Sequence, residues 1–445
     1  MKTANTLSLV LALFLLLLSY CTQAQENPAP LTRQERQTVL DSIASKLDQN
    51  YVFPEMATQM IENLRTRQGK GAYKDIRDPQ EFAALLTTDL QAVSKDKHLR
   101  VSFEPRQIAE QQQTVTAEDS IAYLNRYIAS LKRGNFGFKE LKILEGNIGY
   151  LDLRSFSNVE YGGETAVSAM NFLSNTDAMI IDLRNNGGGS PAMIQLITSY
   201  LFGSDPVHLN NFYWRPTDSN SQTWTLPHVS GKRSPDTPVY VLTSPNTFSA
   251  AEEFSYNLKN LERATLIGKT TGGGAHPGGS VVATDRFTIW VPTGRAINPI
   301  TNTNWEGTGV SPHIEVPVQE ALEVAHIKAL ESLMEQQTDE ERKAFYEWPI
   351  TRLKALKNPV RLDVTTLQTF VGSYGPRKIS MENGTLFYQR DNGTKYELYP
   401  YGDREFMLKG LDSFRIRFIT EGDQVRALQG LYSNGRTDKN HKDKE

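Results

Sequence analysis

The chain has 445 residues, with 48 lysines and arginines against 51 aspartates and glutamates, and its formal net charge at pH 7 is −3. This balance, without a basic cluster, gives no support to a nucleic-acid-binding protein. A single cysteine excludes an intrachain disulfide and a thiolate metal site, and the seven histidines lack the close pairs of a zinc-binding helix. We therefore expect neither a metal nor another cofactor.

The first 24 residues have the pattern of a secretory signal peptide. A leucine-rich block from Leu7 to Leu18 follows Lys2, is too short to span a bilayer, and leads to small residues before Ala24. The expectation is an exported protein without a membrane span, which suits a bacterial periplasm. A lipoprotein anchored through Cys21 is the less favoured alternative, because Tyr20 is a poor residue immediately before a lipidated cysteine.

Residues 25–104 are predicted to form a small helical domain that leads into a strand. Apolar residues recur at helical spacing, as in Val39, Leu40, Ile43 and Leu47. Further on, Asp78 followed by Pro79 and Glu81 predicts a helix start with an N-cap, a proline at the first position and a capping glutamate.

Residues 105–318 are predicted to form an α/β core. After one amphipathic helix around 121–131, short apolar strands alternate with helical stretches, which favours a largely parallel sheet covered on both faces. The predicted strands are Ile148–Leu153, Ala178–Leu183, Val239–Thr243 and Ala264–Gly268.

The C-terminal third has two segments with different sequence patterns. Residues 319–359 are charged and helix-forming, and residues 360–435 alternate between short apolar runs and turn signals such as Asn383-Gly384. This pattern predicts a small antiparallel β-meander domain. The polar residues 436–445 are predicted to be a disordered tail.

Ser249 is the candidate nucleophile, because it stands between a predicted strand and a predicted helix. The plainer interpretation is that Ser249 only caps the helix, since Ser-Ala-Ala-Glu is a capping-box pattern. The glycines Gly187-Gly188-Gly189 likewise fit a simple strand-to-helix turn. Together, however, the serine and the glycine turn offer a hydroxyl and fixed backbone N–H donors. The N–H groups of Ala250 and of Gly187 or Gly188 could form an oxyanion hole for acyl transfer.

The motifs that carry these residues resemble one family. The chain resembles the C-terminal-processing (tail-specific) serine peptidases, which include the tricorn core and the repeats of interphotoreceptor retinoid-binding protein. The resemblance lies in three motifs, in this order: Asp182-Leu183-Arg184-Asn185-Asn186-Gly187-Gly188-Gly189, Ser249-Ala250-Ala251-Glu252 and Gly268–Gly274. The resemblance implies a ClpP/crotonase-like core, no cofactor, and unfolded protein or peptide substrates. The helical N-terminal domain looks like that of the retinoid-binding branch.

The resemblance also implies which residues assist Ser249. The Ser–Lys branch places a lysine where this chain has Gly272-Gly273-Gly274, and Lys269 lies too early. The tricorn branch implies His98 as general base and Glu306 as the residue that orients it, although Lys97 replaces that branch's relay serine.

Two interpretations of function remain open at this point. The favoured one is an exported serine peptidase that forms an acyl-enzyme on Ser249. The alternative is a non-proteolytic carrier of retinoid- or fatty-acid-like ligands, in which His98 would be a surface histidine and Glu306 a solvated loop carboxylate. His276, in the glycine-rich region, fits a cleft wall or a loop equally well.

Overall fold

The computed structural model describes residues 29–112 and 116–444. They form two compact units, one of residues 29–112 and 278–293, the other of residues 116–277 and 294–444. The expected signal peptide and Cys21 lie outside the described residues. Within these ranges, no helix has both the length and the apolar character needed to cross a bilayer.

The first unit packs helices against a small antiparallel sheet of order β1–β10–β9. Its elements are α1 (Arg33–Asn50), α2 (Pro54–Gly69), α3 (Pro79–Ser94), α4 (Pro105–Gln112), β1 (Arg100–Phe103), β9 (Gly278–Val282) and β10 (Phe287–Pro292). The predicted face of α1 is confirmed, because Val39, Leu40, Ile43 and Leu47 are all buried. The predicted start of α3 is also confirmed. The Asp78 carboxylate accepts the N–H groups of Gln80 and Glu81.

The second unit is built around a six-stranded sheet of order β12–β8–β7–β4–β3–β2, parallel except for the edge strand β2. Its strands are β2 (Phe138–Leu144), β3 (Ile148–Leu153), β4 (Ala178–Asp182), β7 (Val239–Thr243), β8 (Ala264–Gly268) and β12 (Ile314–Glu315). Every residue of β3, β4 and β7 is buried, as expected for central parallel strands covered on both faces.

Helices cover both faces of this sheet. One face packs against α6 (Val159–Leu173), α7 (Pro191–Tyr200) and α8 (Ala250–Asn260), and the other against α9 (Ala321–Glu335) and α10 (Glu340–Lys357). Helix α5 (Ala117–Arg133) precedes the sheet. A separate antiparallel sheet of order β11–β5–β6 combines β5 (His208–Trp214), β6 (Ser219–Trp224) and β11 (Gly294–Ile297).

The C-terminal part is an eight-stranded antiparallel sheet that begins after α11 (Val364–Thr369). Its strands are β13 (Gly372–Tyr374), β14 (Arg377–Glu382), β15 (Thr385–Arg390), β16 (Lys395–Pro400), β17 (Glu405–Leu408), β18 (Leu411–Glu421), β19 (Gln424–Tyr432) and β20 (Thr437–His441). The Asp443 N–H donates to the Ser373 carbonyl, so the sheet nearly closes on itself.

The predicted fold class is confirmed: an α/β core, a helical N-terminal part and a small antiparallel β domain. The predicted disordered tail is wrong for residues 437–441, which form β20 along β19. The polar sequence gave no sign of this strand, because its stability comes from backbone hydrogen bonds to β19 rather than from apolar burial.

Candidate active site

Ser249 occupies a strained turn between β7 and α8. Its backbone angles are φ 55° and ψ −121°, a region that residues with a side chain rarely adopt and that costs about 1–3 kcal/mol. A sharp strand-to-helix turn of this kind projects a nucleophilic side chain away from its own backbone. The strain therefore favours the nucleophile over a plain helix cap, which needs no such conformation.

Backbone hydrogen bonds hold this turn. The N–H groups of Glu252 and Glu253 both donate to the Ser249 carbonyl oxygen, at 2.8 and 3.0 Å, and the Phe248 N–H donates to the Asn186 carbonyl at 3.0 Å. Two N–H groups in the first turn of α8 thus have a main-chain oxygen as their hydrogen-bond acceptor. The Ser249 N–H donates to the Glu252 carboxylate at 2.9 Å, the reciprocal half of the predicted capping box.

The glycine loop after β4 lies directly against Ser249. Gly188 has φ 108°, and a Cβ built on it would lie 2.9 Å from the Ser249 Cβ and 3.0 Å from the Ala250 nitrogen. Only glycine permits this approach. The Gly188 N–H donates to Asn186 Oδ1 at 2.8 Å, so Gly187 and Ala250 are the better candidates for oxyanion donors.

Asn186 links three segments of the site, a role that sequence reasoning missed. Its side chain is fully buried, its Nδ2 donates to the Leu153 carbonyl at the end of β3, and its Oδ1 accepts the Gly188 N–H. Its own carbonyl accepts the Phe248 N–H. The signal available in the sequence was an amide residue immediately before the glycines, where an Asx turn is common.

Asp182 and Arg184 form an ion pair at the start of the same loop. The Arg184 guanidinium donates to both Asp182 oxygens, at 2.9 and 2.6 Å, and to the Val318 carbonyl at 2.7 Å. The Tyr150 hydroxyl also donates to Asp182, at 2.8 Å. Burial, followed by the Asp182 charge, raises the pKa of Tyr150, so its hydroxyl keeps its proton and remains a donor at neutral pH.

Glu252 ties the nucleophile turn to the glycine-rich stretch after β8. Besides the Ser249 N–H, its carboxylate accepts the Thr271 hydroxyl at 2.5 Å and the N–H groups of Gly273 and Gly274 at 2.6 and 2.9 Å. Burial raises the pKa of Glu252, and these hydrogen bonds oppose that shift. Three backbone N–H groups and one hydroxyl around these oxygens favour the ionised form of the carboxylate. The sequence indicated only a capping glutamate.

Glu306 lies against the end of this glycine-rich stretch. Its Oε2 accepts the Ala275 N–H at 2.5 Å and lies 3.4 Å from His276 Nδ1. His276 is buried, at 5% exposure. The structure therefore brings His276 and Glu306 together within the second unit, beside the segment that Glu252 fixes to Ser249.

His98 belongs to the first unit, in the connection between α3 and β1. Its backbone N–H donates to Asp96 Oδ1 at 3.0 Å, and its Nδ1 lies 3.8 Å from the same oxygen. Asp96 is fully buried and also accepts the Tyr51 hydroxyl at 3.2 Å. His98 is thus a mostly buried side chain beside a carboxylate rather than a surface histidine.

Lys269 is a poor candidate for a general base. Its ammonium lies 2.9 Å from Glu315 Oε1 in an ion pair whose side chains are 41% and 68% exposed. A catalytic lysine needs burial to lose its proton near neutral pH, and this one is solvated and paired.

Two regions of the chain match models of known protein families. Residues 147–316 match the model of peptidase family S41, and residues 29–131 match the N-terminal domain that this family has in eukaryotic IRBP. The chain is therefore similar to peptidase family S41 over these two regions. The predicted serine-peptidase family and its retinoid-binding-type N-terminal domain are thereby confirmed.

Individual relatives are distant. A carboxyl-terminal-processing protease from Synechocystis sp. (strain ATCC 27184 / PCC 6803 / Kazusa) is 32% identical over 130 residues, which cover 28% of each protein. The solved photosystem II D1 C-terminal processing protease is 15% identical, with 65% of this chain and 94% of that chain covered and a TM-score of 0.43. A putative peptidase from Parabacteroides merdae is 19% identical, with 63% and 90% covered and a TM-score of 0.44.

Proposed function

We propose that this protein is an exported serine peptidase of family S41 that cleaves peptide bonds through an acyl-enzyme on Ser249. The observation that carries the proposal is the strained turn at Ser249, with Gly188 pressed against it. A positive φ at a serine costs stability, and the fold retains it where the Ser249 Cβ lies against a glycine loop at a helix N-terminus.

The first chemical step is attack of the Ser249 oxygen on the peptide carbonyl carbon. Negative charge moves onto the carbonyl oxygen, where the N–H groups of Gly187 and Ala250 are the proposed donors. Each such donor typically contributes about 3 kcal/mol to the stability of the transition state. The N-terminus of α8 adds a favourable electrostatic field for the same charge.

A histidine takes the Ser249 proton in this step and returns it to the leaving amine. The carbon–nitrogen bond then breaks, an ester on Ser249 remains, and a water molecule hydrolyses it in a second cycle of the same proton transfers. Family resemblance assigns the base to His98, with Glu306 orienting it. The contact between Glu306 and His276 makes His276 the competing candidate.

The proposed substrates are peptides or unfolded protein segments, cut near a C-terminus. This follows from the family and from the printed name of the Synechocystis relative, a carboxyl-terminal-processing protease. Export rests on the leucine-rich N-terminal segment.

Labelling with a fluorophosphonate probe tests the mechanism. Wild type should label, and Ser249→Ala should not. Loss of labelling in His98→Ala with retention in His276→Ala would assign the base to His98, and the opposite pattern to His276. The exposed His228 supplies a control, because His228→Ala should label like wild type. Well-folded wild type that fails to label would overturn the proposal.

A further inference from the structure

Strand β6 forms one edge of the small antiparallel sheet β11–β5–β6. Within the described residues it pairs with β5 alone, so its other edge has no neighbouring strand. Five of its six residues are exposed, and Thr223 is partly buried. A free strand edge presents a row of unpaired N–H and carbonyl groups, which another extended chain can bind as an added strand.

The other sheet edges in the second unit differ from β6. As far as the structure describes them, β12, β13 and β11 have only two, three and four residues, and β2 and β20 each carry charged side chains. Short strands and charged side chains are usual ways in which an edge avoids pairing with another chain. The sequence of β6 is Ser-Asn-Ser-Gln-Thr-Trp, with neither a charge nor a proline. Its edge therefore keeps the length and the neutral surface that strand addition needs.

The backbone groups that face this edge belong to Asn220 and Gln222. Directly after β6, the Thr225 N–H donates to the Val207 carbonyl at 2.9 Å, on the side where β5 lies. Successive residues of an antiparallel strand direct their N–H and carbonyl groups to opposite edges. Counting back from Thr225, Asn220 and Gln222 therefore direct theirs away from β5. Each of them offers one donor and one acceptor to an added strand.

An aromatic side chain lies at the end of this row. The Trp224 carbonyl faces the same edge and is already occupied, since it accepts Gln195 Nε2 at 2.7 Å. The Trp224 ring stacks on His208 at 4.2 Å and 9°, and it stays 39% exposed. An added strand would thus gain its backbone hydrogen bonds at residues 220–222 and place one side chain beside the exposed indole. Such an edge accepts any extended chain, with a preference for an apolar side chain near Trp224.

We propose that the free edge of β6 binds an extended segment of the polypeptide substrate by strand addition. The inference rests on the proposed function, since a peptidase that cuts unfolded segments has to hold them extended. Phe212 of the neighbouring strand β5 lies in the same hydrophobic core as Phe254 of α8, the helix that begins directly after Ser249. The edge is thus a second holding point for the substrate, within the unit that carries the proposed nucleophile.

A second copy of the chain fits this edge less well than a substrate does. A pair of six-residue strands spans about 20 Å, and the side chains that two copies of β6 would bring together are mostly polar. Such a contact falls below the size of a stable dimer interface. Weak binding suits a substrate, which has to be released after each cut.

Binding of fluorescein-labelled β-casein, a polypeptide without a stable fold, tests the proposal by fluorescence anisotropy. The measurement uses Ser249→Ala protein, so that no cleavage occurs. Adding Gln222→Pro removes one outward N–H and should raise the apparent dissociation constant at least about fivefold. Gln222→Ala is the matched control, because it removes the side chain and keeps the N–H, and it should bind within about twofold of the parent. Proline is tolerated where the N–H of an edge strand faces solvent, so both variants should melt close to the parent.

A second measurement leaves the protein unaltered. The casein peptide that binds best is synthesised with an N-methyl group at each backbone nitrogen in turn. Binding should fall at every second position, because strand addition uses alternate N–H groups. N-methyl losses without this alternation would overturn the proposal, as would equal binding by the proline and alanine variants or the absence of casein binding.

Two further outcomes separate this inference from its alternatives. A dimer of wild type that Gln222→Pro abolishes would overturn the proposal in favour of a second copy at β6. Wild type that binds casein at β6 but neither labels with the fluorophosphonate nor cleaves casein would support this inference and contradict the proposed function.

Discussion

Replacing Glu252 by glutamine tests whether one buried carboxylate holds the nucleophile turn to the glycine-rich stretch. Its Oε1 accepts the Thr271 hydroxyl and the Gly273 N–H, and its Oε2 accepts the Ser249 and Gly274 N–H groups. Glutamine keeps one oxygen. With its amide nitrogen toward Ser249 and Gly274 it would face two N–H donors, and with the nitrogen toward Thr271 it would face the Gly273 N–H, while the Thr271 hydroxyl could turn to accept.

The magnitude follows from the one or two hydrogen bonds that are lost. A hydrogen bond to a charged group contributes about 1.5–3 kcal/mol, so the gross loss is about 1.5–6 kcal/mol. Part of this is recovered because a buried charge is removed, as the raised pKa of Glu252 indicates. We expect a net cost of about 1–4 kcal/mol. If all of it were felt in the transition state, Ser249 would react about 5- to 1,000-fold more slowly.

The assay is the second-order rate of fluorophosphonate labelling, measured beside the apparent melting temperature. Glu253→Gln is the matched control. Glu253 is also buried, at 4% exposure, but burial raises its pKa to about 7, so glutamine resembles its protonated form. The control should label within about twofold of wild type. Labelling of Glu252→Gln at the wild-type rate, or an equal loss in Glu253→Gln, would refute the reasoning.

Three further outcomes are expected. Gly188→Ala should abolish labelling, because its Cβ would lie 2.9 Å from the Phe248 carbonyl oxygen; Gly203→Ala, with open space around it, is the control. The pKa of Glu253 is raised from 4.5 to about 7 on folding, so the folded state binds the extra proton. The free energy of unfolding should therefore fall by about 3 kcal/mol between pH 4.5 and 7. Denaturant titrations at several pH values should show this fall for wild type and not for Glu253→Gln. The same pH dependence of the free energy of unfolding in both proteins would contradict the raised pKa of Glu253. Arg184→Lys should lower stability by about 2–3 kcal/mol, because lysine cannot make the paired contact with Asp182; an unchanged melting temperature would count against a structural role for this ion pair.

Much of the fold was predictable because it depends on local pattern. The apolar spacing in α1 gave its buried face, Asp78 and Pro79 gave the start of α3, and the apolar runs gave the central strands of the sheet. The serine between β7 and α8 and the glycines after β4 were also visible, since a turn and the residues that permit it are neighbours in sequence.

Contacts between distant residues were not predictable in this way. Thr271 and Gly273 follow Glu252 by 19 and 21 residues, and Glu306 reaches back 31 residues to Ala275. The polar residues of β20 form a strand only because β19 offers them hydrogen-bonding partners.

The sequence by itself determined the buried face of α1, the central strands of the parallel sheet, the glycine loop and the identity of the nucleophile candidate, because each depends on residues within a few positions. Tertiary structure alone decided that Asn186 and Glu252 hold that nucleophile, that Glu306 meets His276, and that Lys269 pairs with Glu315. The physical reason is that a side chain's hydrogen-bonding partner is set by the packing of the sheet and its loops, which brings together groups that no local pattern relates.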